Sequence, residues 1–142
     1  MKLETTYICV SDINKSLDFY RQLLNQEPLY VNEDRWITFD CGNFLSLYNA
    51  KYDQKLIKDN KECFNQAYLD DFSVDERLQN NMVIFNFTVS NLKAEYQRLQ
   101  ELNIGKLSKI YYVNVHHPYY YFNISDPDGN VLEITGNIKE GD

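Results

Sequence analysis

Apolar and polar positions along this chain alternate between two periods, and the sequence of periods occurs twice. "TTYICV" (Thr5 to Val10) is a short run of strand-forming residues. "SDINKSLDFYRQLLNQEP" follows, with Ile13, Leu17, Tyr20 and Leu24 at helical spacing. Ser11 and Asp12 offer side-chain oxygens to cap its start, and Pro28 marks its exit. "EPLYVN", "RWITFD" and "NFLSLYN" then read as three strands, the last two joined by Cys41-Gly42. After a charged, weakly periodic segment from Lys51 to Asn80, "MVIFNFTV" reads as a strand. "SNLKAEYQRLQELNIG" reads as a helix with Leu92, Tyr96, Leu99 and Leu102 on one face and Gly105 as its stop. "KIYYVNV", "YYYFNIS" and "NVLEIT" complete a second β-α-β-β-β series.

The two series are a repeat. Displaced by 79 positions, Val10-Ser11-Asp12-Ile13 falls on Val89-Ser90-Asn91-Leu92, and Leu17, Tyr20 and Leu23 fall on Tyr96, Leu99 and Leu102. Displaced by 87, "CGNFLSLY" (Cys41 to Tyr48) falls on "DGNVLEIT" (Asp128 to Thr135). The expected organisation is therefore a first module at 1–50, a connector at 51–80 carrying some helix, a second module at 81–136 and a tail at 137–142.

A chain of 142 residues can bury a real core as one domain or as two small fused modules. No apolar run approaches the roughly 18 residues of a membrane span. The start, "MKLETTYICV", lacks the basic-then-apolar pattern of a signal peptide. Cys9, Cys41 and Cys63 form no CxxC spacing and read as reduced thiols, so a cytoplasmic location is expected. A net charge of −7 argues against a nucleic-acid surface and favours a neutral or cationic small ligand. The twelve tyrosines and eight phenylalanines allow either core edges or a stacking surface.

"YICVSDINKSLDFYRQLL", "FTVSNLKAEYQRLQELNI" and "FNISDPDGNVLEI" together resemble the vicinal oxygen chelate superfamily of glyoxalases, bleomycin-resistance proteins and extradiol dioxygenases. The likeness spans nearly the whole chain outside the connector. It implies an α+β fold in which two tandem βαβββ modules form a curved mixed sheet around a groove, with helices outside. It also implies a homodimer, and, in metal-dependent members, four ligands on the first and last strand of each module.

Strand alternation assigns the lining of that groove. Ile8, Val10, Leu45, Leu47, Phe85, Phe87, Val89, Leu132 and Ile134 are expected to cover the helices. Thr5, Tyr7, Cys9, Phe44, Ser46, Tyr48, Ile84, Asn86, Thr88 and Glu133 then face the groove, joined by Trp36, Thr38, Tyr121 and Asn123. The aromatic members (Tyr7, Trp36, Phe44, Tyr48 and Tyr121) either fill the groove or stack a planar or apolar guest. "YYY" at Tyr119 to Tyr121 reads alternatively as an edge or dimer contact.

The resemblance maps the family's four metal ligands onto Thr5, Ser46, Ile84 and Glu133. A divalent metal requires imidazole and carboxylate donors, and this set holds one carboxylate, two neutral hydroxyls and one side chain with no donor. No metal or other cofactor is expected. His116 and His117 cannot both enter the groove, and they read as loop or strand-edge residues. Cys9 faces the groove without an evident base and reads as a small filler. Glu133 either bonds across the groove to Thr5 or Tyr48, or meets a cationic or hydrogen-bonding ligand.

Two functions stay open. One is a protein of the bleomycin-resistance type that binds a small planar or cationic molecule through Tyr7, Trp36, Phe44, Tyr48, Asn86, Tyr121, Asn123 and Glu133, without metal. The alternative is a glyoxalase-like lyase or isomerase, or a dioxygenase relative, with Glu133 as its catalytic group, with or without a displaced metal.

Overall fold

In a computed structural model of the protein, residues 5–59, 63–77, 83–114 and 118–138 are described. The chain divides into two compact units, residues 1–80 and 81–142. The charged 51–80 segment, read as a connector, groups with the first module.

In the first unit, β1 (Thr5–Cys9), α1 (Ile13–Leu24), β2 (Tyr30–Asn32), β3 (Trp36–Asp40) and β4 (Phe44–Tyr48) form the expected series. The sheet order is β1-β4-β3-β2. The β1–β4 pair is parallel and the other pairs are antiparallel. Among the described residues, three helices follow: α2 (Ala50–Asp59), α3 (Gln66–Asp71) and α4 (Val74–Arg77). The second unit repeats the series as β5 (Phe85–Val89), α5 (Leu92–Leu102), β6 (Tyr111–Asn114), β7 (Pro118–Ser125) and β8 (Val131–Gly136). Its sheet order, β5-β8-β7-β6, is the same as that of the first, again with the outer two-strand crossover pair parallel.

The repeat extends to the helix ends. Asp12 and Asn91 cap α1 and α5 with nearly the same backbone angles (φ −139°, ψ 104° and φ −138°, ψ 103°). Asp12 accepts from the N–H groups of Asn14 and Lys15, and Asn91 accepts from that of Ala94. Both helices end on an asparagine in the left-handed region, Asn25 and Asn103, each with φ 50°. Asparagine tolerates that conformation because its short amide bonds locally. This corrects the expected stop at Gly105, and it ends α1 ahead of Pro28.

The inward face of α1 is Ile13, Ser16, Phe19, Tyr20 and Leu23, all buried, while Leu17 and Leu24 stand at its margin. In α5, Leu92 and Leu99 are buried and Tyr96 packs edge-on against Phe122 at 5.0 Å. Leu102, expected on the same face, is the last helical residue and is 40% exposed. On the sheets, Ile8, Val10, Leu45, Leu47, Leu132 and Ile134 of the expected helix-facing set are buried, whereas Phe85, Phe87 and Val89 on β5 are only partly buried. Each of the buried ones contributes roughly 1.5–3 kcal/mol on leaving water.

The strand ends that position the opposite faces depend on two turns. Gly42 and Gly129 occupy matching places in the repeat with φ 97° and 84°, where a side chain would be strained. In the second turn Asp126 is buried and organises "DPDGN". Its Oδ1 accepts from the N–H groups of Asp128 and Asn130, and its Oδ2 accepts from the Asn130 amide.

Candidate functional site

Each sheet has one face on its helix and one face turned away from it, and all the candidate site residues lie on the second kind of face. In the first unit, register places Ser46 between Tyr7 and Thr38, and Trp36 beside Tyr48. The rings of Tyr7, Trp36 and Tyr48 form a cluster, with centroids 5.1 Å apart for Tyr7–Trp36, 6.1 Å for Tyr7–Tyr48 and 5.9 Å for Trp36–Tyr48. Tyr7 is 48% exposed and Tyr48 only 3%, so Tyr48 is the floor and Tyr7 the outer edge. Phe44 lies on the same face opposite Thr5, at the far end of β4, and joins none of these ring contacts.

A chain of hydroxyls fixes the ledge from the side. The Trp36 Nε1–H donates to Thr38 Oγ1 at 2.9 Å. Thr38 and Ser46 share a hydrogen at 2.8 Å, and Ser46 and Thr5 at 3.3 Å. Thr5 also donates to the Phe44 carbonyl.

Beneath Tyr48 lies a network that sequence reasoning missed. Asp53, on α2, has a fully buried side chain. Its Oδ1 accepts from Arg35 Nε at 2.6 Å. Its Oδ2 accepts from Arg35 Nη2 at 2.9 Å and from the phenols of Tyr48 and Tyr68 at 2.7 Å each. Burial pushes the Asp53 carboxyl up, yet the bonds from Arg35, Tyr48 and Tyr68 outweigh it and hold the group below the usual carboxylate range. Burial, then the bonds to Tyr68 and Asp53, raise the Tyr48 phenol well above its ordinary value, so it stays protonated. The Arg35 guanidinium, held charged by Asp53, also lies over the Tyr48 ring at 5.5 Å. The available signal was an acid on the inward stripe of a helix: Ala50 and Asp53 are its buried positions, three residues apart.

In the second unit, Asn86, Glu133 and Asn123 occupy neighbouring register positions across β5, β8 and β7. Asn86 Nδ2 donates to Glu133 Oε1 at 2.8 Å. Among the described residues, the Asn123 Oδ1 is buried without a hydrogen-bond partner. In the next row Tyr121 lies beside Thr135, with the Tyr111 ring at 5.2 Å and the Tyr119 ring at 5.9 Å. Within the second unit the Asn86 amide is the hydrogen-bond partner that Glu133 has. His116 and His117 lie outside the described residues.

The side chains at the four positions onto which the resemblance maps metal ligands do not have the donor chemistry of a divalent-ion site. Thr5 and Ser46 are neutral hydroxyls already bonded to each other, Ile84 has no donor atom and is 54% exposed, and Glu133 is one carboxylate held by an amide. A cleft of about 180 Å³ lies elsewhere in the first unit, against Tyr52, Lys55, Leu56 and Asp59 of α2.

Two tandem βαβββ modules with a parallel first and last strand define the glyoxalase and bleomycin-resistance class of folds. The family model for the glyoxalase-like domain matches residues 3–139, and the chain belongs to that family. Among solved structures, it is similar to a glyoxalase-related enzyme from Fulvimarina pelagi, at 18% identity and TM-score 0.66, over 96% of this chain and 88% of that one. It is similar to a lactoylglutathione lyase from Agrobacterium tumefaciens at 17% identity and TM-score 0.65, over 99% and 97% of the two chains. A glyoxalase/bleomycin resistance protein from Catenulispora acidiphila matches at 16% identity and TM-score 0.60, over 96% and 99%. At these identities the likeness concerns the fold. No curated protein matches the chain by sequence. Among the described residues, no helix is long and apolar enough to cross a membrane.

Proposed function

We propose that this glyoxalase-like protein binds a small planar or cationic molecule without a metal, stacking it on the aromatic ledge of the first unit. The observation that carries this reading is the Tyr7–Trp36 pair, 5.1 Å apart and tilted by 50°, with Tyr7 half-exposed above an anchored Tyr48. Aromatic side chains held in place from below lose little freedom when a guest arrives, so more of the contact energy appears as affinity. A planar cation adds roughly 0.5–2 kcal/mol for each ring face it engages. The donor chemistry at Thr5, Ser46, Ile84 and Glu133 supports a metal-free mode, while the enzymatic reading rests on Glu133 alone. The homodimer of the family belongs to the same proposal, and sedimentation of the purified chain tests it.

Trp36 is the single tryptophan, so its emission reports the ledge. Titration with planar cations and neutral aromatics should give saturable quenching in the wild type and a weaker response in Tyr7→Ala. No Trp36 response across a broad panel of such compounds would make the cluster a core element and sink the proposal.

A further inference from the structure

Asn123 Oδ1 is a buried acceptor with no hydrogen-bond partner among the described residues, and Asn123 is the direct register partner of Glu133 on the face turned away from α5. The repeat supplies its control. In the first unit the equivalent row is Tyr7, Ser46 and Thr38, and there the last two close on each other at 2.8 Å. The second unit puts a carboxylate and an amide where the first has two hydroxyls. The carboxylate is held from the β5 side by Asn86, while the amide oxygen on the β7 side is left unpaired. A buried acceptor without a donor is costly, and ionised Glu133 can only accept, so it cannot supply the missing hydrogen. The two neighbouring acceptors are both satisfied by a group that carries at least two N–H donors and a positive charge. Tyr121 adjoins them in the next row, flanked by Tyr111 and Tyr119, and supplies flat apolar surface beside the charge.

We infer that this face of the second unit binds an aryl amidinium or guanidinium-type cation, whose N–H groups donate to Glu133 and Asn123 Oδ1 while its ring lies against Tyr121. The inference extends the reading above to the second unit and does not depend on it.

Calorimetric titration of the full chain with benzamidinium, phenyltrimethylammonium and benzamide tests this. These share a ring but differ in charge and N–H donors. Benzamidinium should bind at least about tenfold more tightly than either of the others, since hydrogen bonds to charged groups are the stronger kind. Asn123→Leu and Glu133→Gln should each weaken benzamidinium by about tenfold or more. Asn123→Asp, which keeps the acceptor, should retain binding. Thermal unfolding establishes that each variant is folded, and the near-isosteric Glu133→Gln carries the test if Asn123→Leu does not fold. Equal affinity for phenyltrimethylammonium and benzamidinium would overturn the inference, as would unchanged benzamidinium binding in Glu133→Gln or no binding to the wild type. Loss of benzamidinium binding in Tyr7→Ala but not in Asn123→Leu would place the cation on the first-unit ledge and would also overturn it.

Discussion

Tyr48 donates its phenolic hydrogen to Asp53 at 2.7 Å, from the last strand of the first sheet to the helix that follows it. Because the Tyr48 ring is also the floor under Tyr7 and Trp36, this one bond links α2 to the aromatic ledge. The Tyr68 phenol reaches the same Asp53 oxygen, so α3 is tied in as well. The segment that looked like a connector is thus part of what holds the ledge rigid.

Replacing Asp53 with Asn should therefore destabilise the first unit strongly. The change leaves Arg35 without its counter-ion and two phenols with a weaker acceptor. A loss of about 2–4 kcal/mol is expected, toward the lower end of broken buried pairs because Arg35 is partly exposed. Tyr68→Phe removes one bond of several and should cost about 1 kcal/mol. Urea unfolding followed by circular dichroism measures both. Equal, small effects would mean that Asp53 carries no special weight.

The same carboxylate should give stability an acid-side dependence. Its pKa in the folded chain lies below the ordinary value of about 3.9, so the unfolded chain binds the proton first. The stabilisation is fully present above about pH 4 and is lost as pH falls through the folded value. The stability gap between wild type and Asp53→Asn should accordingly be constant from pH 5 to 7, within about 0.5 kcal/mol, and narrow below pH 4. A gap unchanged at pH 3 would show that Asp53 is not held ionised.

How far this was legible in the sequence follows from the range of each interaction. Sheet faces were legible because a period of two fixes them locally: Leu45 and Leu47, or Leu132 and Ile134, each settle a whole strand. The helix starts were legible too, since Asp12 and Asn91 immediately precede the periodic run. The helix ends were not, because Asn25 and Asn103 stop their helices through a left-handed backbone that asparagine permits but does not announce. The Asp53 cluster joins residues at positions 35, 48, 53 and 68, and no periodicity links a strand entrance to a later helix. Glu133 was placed on the correct face by alternation, yet its partner depends on parallel register with Asn86, which face alone does not specify.

Gly136→Ala should be poorly tolerated for a reason confined to the β5–β8 pair. A Cβ at Gly136 would lie 2.6 Å from the Val89 carbonyl oxygen and 3.0 Å from a Val89 methyl. The first obstacle is backbone, so the strands must part, at a cost of about 1–3 kcal/mol. A melting temperature equal to wild type would show that this end of the sheet yields freely.

Divalent metals should not stabilise the protein. Thr5, Ser46 and Ile84 offer no anionic or imidazole donor, and Glu133 alone makes a weak site. Elemental analysis of purified chain should find less than stoichiometric zinc, nickel, manganese or iron. Adding each ion at millimolar concentration should leave the melting temperature unchanged. A saturable rise that disappears in Glu133→Gln would restore a metal centre to this family member.

Trp36 should be oriented by Thr38 rather than by packing alone. The indole N–H donates to Thr38 Oγ1, which is itself buried and bonded to Ser46. Thr38→Val keeps the volume and removes the oxygen, leaving the indole N–H and Ser46 without that partner. The expected loss is about 1–2 kcal/mol, together with lower steady-state anisotropy of Trp36 as its ring gains freedom. Planar ligands of the ledge should then bind several-fold more weakly, because ordering the ring becomes part of binding. Thr38→Ser keeps the hydroxyl and should preserve anisotropy and affinity even if it loses some packing. If Val and Ser behave alike in both readouts, the hydroxyl does not orient Trp36 and the ledge is held by ring contacts with Tyr7 and Tyr48.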